Sequence, residues 1–448
     1  MESIVALLAV IFFAIIFIIV ATSVFKIHPF INLILACFIV GLSTGISPKE
    51  VVKIIGSGFG SILGYIGLIV ALGAIIGVFL ENSGALQRIA NSLLSIFGKK
   101  RSVGAMAILG SLIGIPVFCD SGFIILSGLS KSIARRQGIS TASTSLALAS
   151  GLYTTHTLVP PTPGPIAAAG NIGATDHIGL IILIGLVTAI AVSIASITFI
   201  QRYGQKLSVE DESLENFDER ASDEMGFVWA IIPIALPILL ITVSSVFKVL
   251  QLEGEILNYI HFLGEPLVAL MIGLFLSMAQ IMPKIKLKDQ SELIGKGLVQ
   301  AGPILLITGA GGAFGAVLKA TPLSDLLATE IESSTLSGVG FLVLVYAIAA
   351  LLKTAQGSST SALVITSSLL APFVHIAGFS SGFDLALIVM ALGAGAMTVS
   401  HSNDSYFWIV TKLSGFSLKT GYKGFTTLTL IQGVTALLVT IFLYVIAA

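Results

Sequence analysis

The sequence predicts an all-α polytopic membrane protein built from two inverted-topology repeats, each carrying a re-entrant helical hairpin and a broken transmembrane helix. Three observations predict it: apolar runs of spanning length along the whole chain, weak self-similarity between its halves, and basic residues confined to alternate loops. Of 448 residues, 55% are hydrophobic and only 10% charged, against about 25% charged in a soluble domain. The 23 basic and 23 acidic residues cancel, so nothing in the charge points to nucleic acid. Cys37 and Cys119 are too few for a metal cluster and lie in apolar sequence, where small buried thiols rather than a disulfide are expected. The 46 glycines suit closely packed membrane helices.

The first apolar run, about Ile4 to Val24, follows Met1-Glu2-Ser3 without a basic leader and reads as a retained transmembrane helix. Helix two, about Pro29 to Ile46, leads to a short loop bearing Lys49 and Lys53; helix three, about Ile55 to Leu80, returns to a segment with Arg88, Lys99, Lys100 and Arg101. The next run, Val103 to Ser130, is polar at its centre and is followed by Lys131, Arg135 and Arg136. Basic residues at both ends place both on the cytoplasmic side, which predicts a re-entrant hairpin at about 103–130; one kinked spanning helix is the alternative. A crossing from Thr141 to Ala169 is broken at His156 and at Pro160 to Pro165, and Ile178 to Ile200 returns to the cytoplasm. Residues 201–225, rich in Glu and Asp, read as a solvated cytoplasmic linker.

That linker separates repeats at 1–200 and 226–448. Gly73 and Gly77 recur as Gly311 and Gly315 at an offset of 238, where Asp120-Ser121 also falls on Ser358-Ser359. Pro29 matches Pro266 at 237, and His156 matches His401 at 245. The second repeat starts inside and is therefore inverted. Its outer loops are acidic (Glu253, Glu255, Asp325, Glu330, Glu332) and its inner loops basic (Lys284, Lys286, Lys288, Lys296, Lys412, Lys419, Lys423). Its polar run, at about 336–374, lacks basic flanks and reads as a hairpin entering from outside. This topology puts both termini outside, with 18 basic residues inside, 4 outside (Lys49, Lys53, Lys248, Lys319) and Lys353 within the second hairpin. Inverted repeats with paired broken segments are the signature of a secondary transporter with its site near the midplane.

Candidate site residues follow from polarity at membrane depth. Asp120 and Ser121, just past Pro116, could take a proton, hold a cation or bond a polar substrate; the alternative is a capping Asp that touches no ligand. Gln356, Gly357, Ser358, Ser359 and Thr360 put free amides and three hydroxyls at a helix N-terminus, an anion site of the kind a carboxylate occupies; serine packing between helices is the alternative. Lys353 either lends charge to an anionic ligand, snorkels, or pairs with an acid. His156 and His401 head the two broken crossings, and Asn403 and Asp404 add an amide and a carboxylate. Asp404 and Asp120 are the candidate proton carriers. Glu81 reads as interfacial. The Gly-rich Thr308 to Gly315 misses the dinucleotide fingerprint and suits helix packing, and no Walker motif supports coupling to ATP. A nucleophile or metal constellation for an enzyme is lacking, and no cofactor is expected.

The chain resembles the gluconate permease family of proton symporters, within the ion transporter superfamily, over essentially its whole length. The resemblance is carried by H-x-L-V-P-P-T-P-G-P at His156 to Pro165, A-Q-G-S-S-T-S-A-L at Ala355 to Leu363 and S-H-S-N-D-S-Y-F-W at Ser400 to Trp408. It implies a proton-coupled importer of small hydroxy-carboxylates such as gluconate, related sugar acids, glycerate or D-serine, multi-pass in the bacterial inner membrane. It also implies a scaffold domain supporting a homodimer and a hairpin-bearing transport domain that moves as an elevator. The chain departs from the family pattern at the first hairpin tip, where Phe118-Cys119 stands for an aromatic pair and Ser121 for a small apolar residue.

Overall fold

The computed structural model describes residues 4–97, 102–209, 225–250, 254–321 and 337–447, and all the regular structure among them is helical. The expectations for Lys99 to Arg101, for linker residues 210–224, for Glu253, and for Asp325, Glu330, Glu332 and Leu336 fall outside these residues.

The first half of the chain opens with α1 (Ile4–Ser23), α2 (Pro29–Ser43) and α3 (Pro48–Ser83). α3 starts seven residues before the expected Ile55 because Ser47 caps it, its hydroxyl accepting from Glu50 N, and Pro48 at the first position costs no hydrogen bond. Lys49 and Lys53 thus lie on the helix rather than in a loop. Gly84, at φ +86°, ends it in the left-handed region. The amphipathic α4 (Ala85–Phe97) carries Arg88. α5 (Ser102–Ile113) and α6 (Cys119–Gln137) flank the reversal Gly114–Phe118, and α7 (Thr141–Leu158) and α8 (Pro163–Asn171) flank the proline-rich break. α9 (Ile178–Tyr203) closes the half.

The second half opens with α10 (Phe227–Val249), α11 (Glu255–Leu263), α12 (Pro266–Ile281) and α13 (Gln290–Lys319). The same sequence of reversal and break then recurs. α14 (Val339–Gln356) and α15 (Ser359–Val374) flank Gly357-Ser358, and α16 (Gly382–Met397) and α17 (Ser405–Leu413) flank the segment of His401 and Asn403. After one turn at Leu418–Gly421 and a π-turn at Tyr422–Thr426, α18 (Thr427–Ala447) ends the chain. Six of these helical segments are long and apolar enough to cross a membrane; α11 and α12, bent by 62° where they join, pass that test as a pair.

Packing shows how the polar runs are folded. Gly110 sits on Leu148 to Leu152 and Gly114 on Leu152 and Thr155, so α5 runs parallel to α7. Gly122 meets Leu152, and Ser130 hydrogen-bonds Ser145 at 3.3 Å, so α6 runs antiparallel to it. The chain therefore doubles back at Pro116, and both ends of the α5–α6 pair lie towards the start of α7. α14 in turn runs parallel to α16, with Tyr346 and Ala349 against Gly395 and Thr354 against His401. α7 is buried from Ala142 to Leu158 and α16 from Leu385 to Met397, so these two helices form the core. Around them the helices fall into two groups. α1–α3 pack with α12 and α13, with α10 set against α12; α5–α8 and α14–α18 pack with one another; α4 and α9 touch both groups, and α13 also packs on α15 and α3 on α8.

Two finer matches between the halves shift. The N-caps of α6 and α15 are Phe118 and Ser358, which sets Asp120 opposite Thr360, not Ser358, because the first reversal is longer. His156 lies inside the last turn of α7, whereas His401 lies beyond the C-cap of α16, so the histidines are not equivalent. The glycine pairs do serve close packing: Gly77 faces the Pro116 carbonyl and Gly311 faces Ser368 on α15.

At Gly151 a Cβ would collide with the Ala107 carbonyl oxygen on α5, while at Gly104 it would meet open space. Gly151→Ala is expected to destabilise the protein by about 1–3 kcal/mol through overpacking, and Gly104→Ala to leave it unchanged or slightly stabilised. Thermal unfolding in detergent checks both; equal behaviour of the two variants counts against this helix crossing.

Candidate functional site

Where a helix starts inside the membrane, its first amides have no carbonyl to meet. α6, α15 and α17 all start this way, and their N-termini converge on one cavity of about 350 Å³. α6 contributes Cys119 and Asp120, α15 contributes Ser359 and Thr360 after Gly357-Ser358, and α17 contributes Ser405 and Tyr406 after Asp404. α7 adds Tyr153 and His156. Pro303, Ile304 and Ile307 of α13 form an apolar wall, and the exposed His28 lies at the rim.

Asp120 faces this cavity. Its carboxylate accepts from Ser405 Oγ at 3.1 Å and from the Cys119 thiol at 3.6 Å, and no cation pairs with it among the described residues. Phe118, the N-cap of α6, offers no side-chain hydrogen bond to the helix start. At α15 the Ser358 hydroxyl is used as the cap, accepting from Ser361 N at 3.2 Å. The hydroxyl-bearing residues of α15 that also line the cavity are Ser359, which lies beside the Tyr153 phenol, Thr360 and Ser361. His156 is 5% exposed with its Nδ1 unpartnered, and its ring stands 5.9 Å from that of Phe118.

The tip of the second hairpin is fastened to the α16–α17 break. Gly357 is at φ +85°, and a Cβ there would fall on the Asn403 carbonyl, so only glycine permits this approach. The Thr354 carbonyl accepts from His401 Nε2 at 2.8 Å and from Asn403 Nδ2 at 2.7 Å. Lys353, 1% exposed, donates to the Gly357 carbonyl at 2.9 Å and pairs with Asp404 Oδ2 at 2.5 Å. Asp404 also accepts from Ser400 Oγ, and its Oδ1 caps α17 through Tyr406 N at 3.0 Å.

The structure thus brings Asp120, His156, Gly357, Ser358, Ser359, Thr360 and Asp404 together. Four expected residues stand off the cavity. Ser121 turns to the carboxylate of Glu81 on α3, Gln356 ends α14 with its Nε2 unpartnered, and His401 and Asn403 donate to the Thr354 carbonyl, with Asn403 Oδ1 left unpartnered. Of the readings open for Lys353, pairing with an acid is the one observed. Sequence reasoning missed Tyr153 and Tyr406, whose rings lie 5.4 Å apart and whose hydroxyls donate to the carbonyls of Ala396 and Ala149. A signal existed for Tyr153, one turn before His156 on a single helix face; the apolar wall of α13 carried none.

A membrane-embedded bundle of spanning-length helices, with broken helices aimed at a small internal cavity, defines a multi-pass permease. The chain belongs to the GntP family: the GntP family permease model matches residues 5–446. It is a transporter and not an enzyme. It is 34% identical over 430 residues to the inner membrane permease YgbN of Escherichia coli, covering 93% of each chain. It is 32% identical over 428 residues to a gluconate permease of Pseudomonas aeruginosa, covering 94% of this chain and 93% of the relative. The D-serine transporter DsdX of Escherichia coli is 31% identical over 433 residues, covering 95% of each. In fold the chain is similar to the YdaH transporter of Alcanivorax borkumensis, with a TM-score of 0.67 at 16% identity, covering 94% of this chain and 98% of that one.

Removing one partner of a buried ion pair strands the other charge, at a cost of about 3–5 kcal/mol. Asp404→Ala is therefore expected to lower stability by that amount, and the double variant Lys353→Met/Asp404→Leu by much less. Chemical unfolding in detergent measures both; an Asp404→Ala protein within about 1 kcal/mol of the parent speaks against the pair.

Proposed function

We propose that the chain is a secondary active symporter that imports gluconate or a related small hydroxy-carboxylate with a proton, by an elevator mechanism, in the bacterial inner membrane. The observation that carries this reading is the convergence of three helix N-termini on one small cavity. Each N-terminus presents free amides and about half a positive charge, which suits a carboxylate. The hydroxyls of Ser359 and Thr360 and the free Nδ1 of His156 are then partners for the ligand's own hydroxyls. Gluconate and D-serine, the molecules in the relatives' names, both carry a carboxylate next to a carbon bearing a polar group. At about 350 Å³ the cavity is at the small end for ligand sites.

Asp120 is the better supported proton carrier, since it faces the cavity with only a hydroxyl and a thiol for partners, whereas Asp404 is held by Lys353. The elevator reading is supported by the two packing groups, with the cavity between α13 of the first and the hairpins of the second. In that reading α1–α3 and α10–α13 are the scaffold, and exposed Ile256, Tyr259, Phe262 and Phe275 are covered by lipid or by a second copy in a homodimer. The re-entrant, inverted reading of the hairpins is supported by the doubling back at Pro116 and by the recurring order of elements. His28 lies at the mouth of the cavity, so a cytoplasmic Lys26, as the asymmetry of basic loops favours, would have the cavity open inward.

In proteoliposomes, labelled gluconate or glycerate should accumulate under an inward proton gradient and stop with an uncoupler; uptake that follows sodium and ignores the proton gradient would overturn the coupling. D-serine in the same panel discriminates substrates, and ion currents far above carrier turnover would mean a channel. Asp120→Asn should cut accumulation at least tenfold while ligand-induced thermal stabilisation persists. Ser359→Ala/Thr360→Ala should weaken binding about tenfold, since two hydrogen bonds between neutral groups are worth about 0.5–1.5 kcal/mol each. Unchanged affinity in that double variant removes the α15 terminus from the site.

A further inference from the structure

The proposed function leaves Lys353 unexplained. An ammonium 1% exposed is costly at membrane depth unless something requires it there. It is absent from the lining of the cavity, sealed behind Gly357 and Ser358, so it does not touch a ligand lying there. Its surroundings are instead those of a cation site. The Gly357 carbonyl, at an irregular hairpin tip, stands 2.9 Å from Nζ; Asp404 Oδ2 stands at 2.5 Å; and the Ser400 hydroxyl shares that same carboxylate oxygen. The face of Tyr153, with its centroid at 5.9 Å, closes the remaining side. Free carbonyls of an unwound segment together with a carboxylate are the donors by which interrupted helices hold a coupling sodium. Here a side chain from one turn upstream already supplies the positive charge.

We propose that Lys353 is a resident cation: its ammonium fills the oxygen-donor site between the second hairpin tip and the α16–α17 break, and so makes transport independent of sodium. The inference deepens the proton-symport reading and rests on it for the word transport, but the site itself does not depend on which acid is carried. A sodium ion in that place would join the two segments only while bound. Lys353 joins them permanently, so the proton is left as the ion that comes and goes, at Asp120 on the other side of Ser405.

The test is to remove the resident charge while keeping its donors. Purified full-length protein is unfolded by heat in sodium chloride and in choline chloride of equal ionic strength. The parent should unfold at the same temperature in both. Lys353→Ala should unfold earlier in choline and recover in a saturable way with sodium or lithium. Lys353→Ala/Asp404→Asn should lose that recovery, and Lys353→Met, which fills the space, should show none. In proteoliposomes, uptake by Lys353→Ala should rise at least tenfold with sodium, while parent uptake stays flat. A Lys353→Ala protein indifferent to sodium, or a parent already stabilised by it, overturns the proposal. If Lys353→Ala is lost during preparation without sodium, it is purified in sodium throughout: recovery there and loss on exchange into choline supports the proposal, and loss in both overturns it. The unfolding readout needs no substrate, so failure of gluconate uptake with the sodium effect intact would count against the substrate alone.

Discussion

A helix interrupted inside a bilayer exposes amides and carbonyls that lipid cannot satisfy, and the arrangement at the α16–α17 break follows from that constraint. The carbonyls freed at the end of α14 are taken up by side chains: Thr354 by His401 and Asn403, Gly357 by Lys353. The amides freed at the starts of α6, α15 and α17 are only partly capped and turn towards the cavity. Carbonyls closed by protein and amides only partly capped leave hydrogen-bond donors facing the cavity, beside the Asp120 carboxylate.

The two hairpins share this geometry but not its chemistry. The first presents a carboxylate whose partners among the described residues are Ser405 and Cys119; the second presents hydroxyls and has its cation locked behind its tip. α17 stands between them, with Asp404 committed to one hairpin and Ser405 to the other. Two adjacent residues at one helix start therefore link the two hairpins.

Much of this was legible in the sequence because membrane spans are so uniformly apolar that each polar interruption stands out. Pro116, Asp120, Gly357 and Asp404 stand out that way; Pro116 lies in the reversal between α5 and α6, and the other three mark helix ends or their caps. What the sequence hid were pairings at long range and features of ordinary polarity. The Lys353–Asp404 pair spans 51 positions, and nothing in either local pattern names the other. The equivalence of His156 and His401 was a false match, and its offset of 245 against 238 elsewhere already separated it from the rest of the repeat. His401 and Asn403 look like ligand-binding residues by type, but their hydrogen bonds are taken by a carbonyl that only the folded break brings near. Pro303, Ile304 and Ile307 are invisible for the opposite reason, since apolar residues in an apolar span carry no signal.

Those last three residues have a mechanical meaning. The cavity meets its neighbouring body along α13, and there the facing side chains are a proline and two isoleucines, which neither donate nor accept a hydrogen bond. Dispersion contacts with such a surface are many, weak and nearly the same from one position to the next. Displacement along α13 therefore breaks no directional bond at these residues and meets a nearly level energy profile. The polar contacts of the site are gathered within the hairpins and the break, apart from Ser121, which meets Glu81 on α3. In an elevator motion this wall would serve as a bearing surface.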